Sequence, residues 1–379
     1  MFSPWDWAIV AAYICGTTLV GHHLKGKQHS TRDFFLGGRS LPWYAVTAST
    51  IATTVSAVTF IGVPALVYAA GGNYTYLQLA IGGFIARYLV ARFLVPLYYE
   101  KEFYSPYDYM EDRLGPVIGR VTAGMFILGG ILSQGVRVYA TALVLELITG
   151  WNLAESIVLI ALFSVLWTWM GGIAAVIWTD FVQFFIMIAG GIAALVFVTD
   201  ALPDGWTTLF EVGQQAGKLT VFDFTIDPRL EFTFWAALIA MPFQNTAVYG
   251  TDHLFVQRLL CCRNQREAQK AVLWSNVGEL VPALMLTVGA GLFAFYEFHS
   301  LPPDLAGLVA ERGDRIFPAF IISEIPTGLK GLLIAGILSA AISSLDSILA
   351  ALSQISLTMF YKPFVNPQAD EATSLRVSR

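Results

Sequence analysis

Ala340, Ser343, Ser344 and Ser347 stand at i, i+3, i+4 and i+7 in one apolar stretch. In a helix they share a face, and three hydroxyls line it. Asp346 lies beside that face. Hydroxyl and carboxylate oxygens are hard ligands, suited to a hard cation such as Na+. The plain alternative is a small-residue packing face whose serines bond their own backbone. Asp346 weighs against it, because a carboxylate inside a membrane helix costs about 2.5–3.5 kcal/mol in insertion assays and something must offset it. Asp180, after Trp178 and Thr179, either reaches the membrane interface or joins Asp346 at a cation site. Arg137 is the lone basic residue of its apolar stretch. It reads as an ion-pair partner within a bundle, or as a clamp on a solute carboxylate, which guanidinium binds in bidentate fashion. Glu279 and Gln78 read first as interhelical hydrogen-bonders.

A second unusual stretch runs through Ser49, Thr50, Ala52, Thr53, Thr54, Val55 and Ser56, then meets Gly62 and Pro64. Small residues allow close helix packing. Hydroxyl and β-branched residues weaken a helix, and Pro64 removes a backbone hydrogen bond. The stretch reads either as a close-packed kinked helix or as a discontinuous helix whose freed carbonyls bind a cation.

The elements that must position these groups are membrane spans. The chain has 379 residues, 56% apolar and only 13% charged. A soluble domain carries roughly 25% charged residues, so that class is excluded. Continuous apolar runs argue against a β-barrel, whose strands alternate. A spanning helix needs about 20 mostly apolar residues, and nine candidates emerge: 5–23, 42–70, 74–98, 117–149, 153–170, 173–199, 232–256, 271–297 and 328–360. The first lacks a basic leader and a small-residue cleavage site, so it reads as a helix rather than a signal peptide. Lys25, Lys27, Arg32 and Arg39 form one basic group, and Lys101, Arg113 and Arg120 a second. Arg258, Arg263, Arg266 and Lys270 form a third, and Lys362, Arg376 and Arg379 the last. All fall on one side of a nine-span chain, which puts the N-terminus outside and the tail in the cytoplasm.

The net charge of −5 and the scatter of basic residues exclude a nucleic-acid partner. Three cysteines cannot form a disulfide framework. Cys261 and Cys262 read as unmodified loop cysteines. His22, His23 and His29 lack companion ligands and read as a solvated loop, not a metal site. No phosphate loop, zinc-protease or nucleophile-elbow motif is present, so the chain does not read as an enzyme.

At this point the residues resemble a family. Gly37, Gly38 and Arg39 lead through Pro42 and Trp43 into 48–62. Gly171, Gly172 and Ile173 precede Trp178, Thr179, Asp180 and Gln183. Gly250, Thr251, Asp252 and His253 precede Gln257 and Arg258, with Glu267 to Lys270 beyond. The 340–347 face is followed by Tyr361, Lys362, Pro363 and Phe364. In that order they resemble the sodium/solute symporter family, which includes sodium–glucose, proline, sialic-acid, iodide and multivitamin carriers.

The resemblance implies an all-α polytopic membrane protein with a LeuT-like core of two inverted five-helix repeats. An extra helix and loop would occupy 1–36, the first repeat 37–200, three helices of the second repeat 201–360 and a cytoplasmic tail 361–379. The core would be incomplete, so the chain is expected to be a fragment of a longer carrier or a truncated product, inert by itself. The resemblance also implies a shared sodium site at Ala52, Val55, Ala340, Ser343 and Ser344. A second sodium site would fall on Asp180, Ser343, Asp346 and Ser347, with Asp346 where related carriers have serine. Substrate positions would be Thr54, Ser56, Thr59, Gln78 and Asn245, with Arg137 available and Tyr249 near the inner gate. Sugar carriers have Gln at Thr59, Glu at Gln78 and Lys at Glu279, which counts against a hexose. The expected function is Na+-coupled import of a small, anionic solute, sialic acid or another carboxylate, across the plasma membrane by a multi-pass carrier. The rivals are a carrier of sugar or another neutral solute, and a solute-sensing membrane domain of a signalling protein.

Overall fold

The computed structural model describes residues 2–24 and 29–379; Lys25 and Lys27 of the first basic group lie outside them. Among the described residues the chain is helical, with a single isolated bridge between Leu41 and Cys262. Six helices are long and apolar enough to cross a membrane, and a seventh candidate is a bent pair. The six are Pro4–Leu24, Tyr74–Glu100, Pro116–Thr149, Leu153–Asp200, Gln265–Phe298 and Leu329–Val365.

The bent pair is the hydroxyl-rich stretch. Trp43–Thr54 and Ala57–Tyr68 meet at 59°. Thr53, Thr54 and Val55 favour an exit from the helix, and Val55 sits outside it at φ −79°, ψ 104°. Ser56 then caps the second half by accepting from the Thr59 N–H at 3.4 Å. At the far end Lys218 Nζ donates to the Ala69 carbonyl at 2.6 Å, satisfying a terminal acceptor. The stretch is thus a discontinuous helix.

Leu153–Asp200 joins two sequence-expected spans into one element of 48 residues. At about 1.5 Å per residue that is over twice the roughly 30 Å of a bilayer core. Gly172 resolves the excess: its φ of 55° and ψ of −154° break the helix at the position the sequence left between the two spans. A Cβ there would collide with the Phe34 carbonyl oxygen. The stretch expected as one span over 232–256 is instead assembled from shorter pieces. These include Met241–Thr251 and His253–Leu260, separated at Asp252.

Leu329–Val365 is the most enclosed span and packs along Leu153–Asp200 and against Trp43–Thr54. Asp6 of the first helix caps its N-terminus, accepting from the Gly328 and Gly331 N–H groups at 2.7 and 2.9 Å. Pro116–Thr149 is peripheral. Val117, Val121, Met125, Leu128, Leu132 and Val136 repeat along one exposed face, an apolar stripe that suits lipid.

The loops bearing basic residues gather at one end. Arg39 donates to the Phe103 carbonyl, Arg263 to that of Ser40, and Glu371 of the tail accepts from Thr31. Arg258 is a correction to the third basic group. It is fully buried, not a loop residue, because His253–Leu260 turns its side chain into the bundle. Cys261 and Cys262 are likewise buried at the end of that helix.

Candidate functional site

The broken helix and Leu329–Val365 meet where Val55 leaves the helical ladder. Ser343 Oγ donates to the Ala52 carbonyl at 3.0 Å and lies 3.4 Å from that of Ala340. Ser344 Oγ is 3.1 Å from the Ala340 carbonyl and 3.5 Å from that of Thr53. The side-chain amide of Gln134 donates to the Ser344 carbonyl. Ala52, Val55, Ala340, Ser343 and Ser344 are all buried. Neutral oxygens of this kind, hydroxyl and carbonyl, form a donor set suited to a hard monovalent cation.

One helical turn along, a denser polar cluster is fully enclosed. Asp180 Oδ2 accepts from Ser49 Oγ at 2.6 Å and from Arg258 Nη2 at 3.3 Å. Arg258 also donates from Nε to Ser49 at 2.9 Å and from Nη2 to the Ser347 hydroxyl. Ser347 in turn donates to the Ser343 carbonyl and lies 3.3 Å from Asp346 Oδ1 and 3.2 Å from Thr53 Oγ1. Two carboxylates and one guanidinium leave a formal charge of −1. Asp180 Oδ1 and Asp346 Oδ2 are buried and take no hydrogen bond. Stranding a charge in the interior is costly, so the cluster is neutralised by a proton on a carboxylate or by one further monovalent cation.

A cavity of about 320 Å³ opens on the other side of the break. Thr54, Thr59, Asn245 and Tyr249 line it, together with Arg87, Gln244 and Glu279. Tyr249 precedes the break at Asp252, and its hydroxyl is 3.4 Å from Thr54 Oγ1. A second cavity of about 310 Å³ holds Arg137, Gln134 and Asp252. Thr54 lines both. The structure does not bring every substrate candidate into one place. Gln78 bonds the Phe232 carbonyl and the Asp223 N–H and lines a separate cavity, which shares Glu279 with the first. Ser56 caps its helix, and Arg137 belongs to the second cavity. The sequence does not mark Arg87, and it marks Arg258 only as a member of the third basic group and of the family pattern. Each is an arginine within an apolar helix, the same signal that marked Arg137.

A broken helix beside a hydroxyl-faced helix, with a cavity at the break, defines a secondary-transporter core. The profile of the Sodium:solute symporter family matches residues 34–379, and the chain belongs to that family of multi-pass membrane proteins. It is 29% identical over 366 residues to sodium-coupled monocarboxylate transporter 2 of Bos taurus, covering 95% of this chain and 58% of that one. It is 28% identical over 369 residues to the sodium/iodide cotransporter of Homo sapiens, covering 96% and 56%. The chain thus spans less than two thirds of these relatives' length. A solved structure of a Na+-coupled sialic acid symporter, in a substrate-bound outward-open state with a novel Na+ site, matches with a TM-score of 0.89. That match has 28% identity and covers all of this chain and 79% of that one.

Proposed function

We propose that the chain forms the ion- and solute-binding part of a sodium-coupled secondary active symporter in the plasma membrane. Its cargo is a small organic solute bearing a carboxylate, carried by alternating access. The observation that carries this reading is the convergence of the Ala52 and Ala340 carbonyls on the Ser343 hydroxyl beside the helix break. A cation there ties the first half-helix to Leu329–Val365, so its arrival and departure bias the bundle between two arrangements. The names of the relatives support a carboxylate or another anion as cargo.

The second sodium falls to Asp180, Ser343, Asp346 and Ser347. There Arg258 balances one carboxylate and leaves one negative charge for the ion. Each Na+ moved down 100 mV supplies about 2.3 kcal/mol, so two supply roughly 4.6 and a monoanionic solute returns half of that. Tyr249 is the gate. The gathering of the basic loops at one end supports a cytoplasmic placement of that end, with the N-terminus outside. In this reading 37–200 is the first repeat and 201–360 belongs to the second. The test is uptake of radiolabelled lactate, nicotinate, sialic acid and alanine into proteoliposomes, with and without an inward Na+ gradient. Uptake indifferent to Na+ overturns the proposal.

A further inference from the structure

The central cavity carries a charge pattern that a simple anion does not match. Arg87, on Tyr74–Glu100, is almost fully buried, with its side chain 2% exposed, against 25% for Glu279 on Gln265–Phe298. Arg87 Nη1 donates to Glu279 Oε1 at 2.8 Å and to Asn276 Oδ1 at 3.1 Å. Arg87 Nη2 donates to the Tyr249 hydroxyl at 2.5 Å, and the guanidinium carbon lies 4.2 Å from the Tyr249 ring centre. Arg87 Nε is buried with no partner. Both charges line the one cavity of about 320 Å³.

A solute in the cavity faces both members of the pair. A plain monocarboxylate is repelled by Glu279. If it takes Arg87 from Glu279, it strands Glu279 without a cation in a poorly hydrated space, where unpaired charge is expensive. A solute that brings its own positive nitrogen has neither difficulty. Its ammonium pairs with Glu279, its carboxylate pairs with Arg87, and the formal charge of the cavity stays at zero before and after binding. Thr59, Gln244 and Asn245 supply neutral hydrogen-bonding groups for the remainder. The volume lies at the small end of ligand pockets.

We infer that the carboxylate solute is zwitterionic: a small amino acid or related amino-carboxylate, read by Glu279 at its nitrogen and by Arg87 at its carboxylate. This rests on the symport reading and narrows its substrate class. Because Tyr249 shares Arg87, a carboxylate that engages the guanidinium also loosens the hydroxyl of the gate.

The experiment is equilibrium binding to the purified chain in saturating NaCl, using matched pairs that differ only in ammonium against hydroxyl. These are L-alanine and L-lactate, L-leucine and L-2-hydroxyisocaproate, and L-phenylalanine and L-phenyllactate. At least one amino acid is expected to bind about tenfold or more tightly than its hydroxy partner. Glu279→Gln is expected to bring that ratio close to one, chiefly by letting the hydroxy acids bind more tightly, and Na+ binding by the variant reports an intact fold. Hydroxy acids binding as tightly as amino acids, no amino acid binding at all, or a ratio unchanged in Glu279→Gln each overturn the inference. Binding of radioactive Na+ alone, measured in parallel, tests the symport reading separately. Na+ binding without amino-acid preference removes only the substrate assignment.

Discussion

Arg258 Nη2 lies 3.3 Å from Asp180 Oδ2, and neither side chain has any exposure to solvent. Removing one partner of a buried pair leaves the other charge stranded. Arg258→Gln is therefore expected to destabilise the protein by about 3–5 kcal/mol. The double variant Arg258→Gln with Asp180→Asn should recover part of that loss. Chemical unfolding of the three proteins in detergent checks it. A double variant less stable than Arg258→Gln would contradict the pairing.

Ser344→Ala removes a hydroxyl between the Ala340 and Thr53 carbonyls and leaves the second carboxylate cluster untouched. One sodium should bind about tenfold more weakly while the other is unchanged. Titration with radioactive Na+ separates the two components. A single unaltered isotherm would remove Ser344 from the ion site.

Gly172→Ala meets two obstacles. The backbone sits in a region that only glycine adopts freely, at a cost of about 1–3 kcal/mol for other residues. The added Cβ also presses on the Phe34 carbonyl. A marked fall in the thermal midpoint is expected. Gly16→Ala is the control, since nothing lies within 4 Å of its added Cβ. Equal midpoints for the two variants would refute the account of the break.

Asp6→Ala strips the cap from the N-terminus of Leu329–Val365. A loss of about 0.5–2 kcal/mol is expected, with Asp6→Asn losing less because it keeps an acceptor. The ordering of the two variants in a denaturant titration is the decisive result.

Apolar runs long enough to span could be read from sequence because membrane burial constrains every residue in them. The hydroxyl face of 340–347 was readable for a local reason: its spacing lies within a single helix. Two readings of the stretch around Val55 fit the sequence, since propensity weakens a helix without fixing where it ends. The pairing that buries Arg258 is not legible locally, because its partner Asp180 lies 78 positions away in the chain. Its neighbours Arg263 and Arg266 also gave it the look of a loop residue. The contrary sign was local: Leu254, Phe255, Val256, Leu259 and Leu260 surround it with apolar side chains. Arg87 had the same sign in Ala86, Leu89 and Val90. Sequence also placed Arg137 and Asn245 together as substrate candidates, whereas tertiary packing assigns them to different cavities.

Thr54 faces both of those cavities. It stands between the two chambers at the helix break, beside Tyr249 of the first, whose ring packs on Phe255 of the second. An edit at Thr54 therefore alters two compartments together, while edits at Arg87 or Arg137 stay local. Trimming it to glycine would enlarge both rooms at once, each of which has an arginine in its wall.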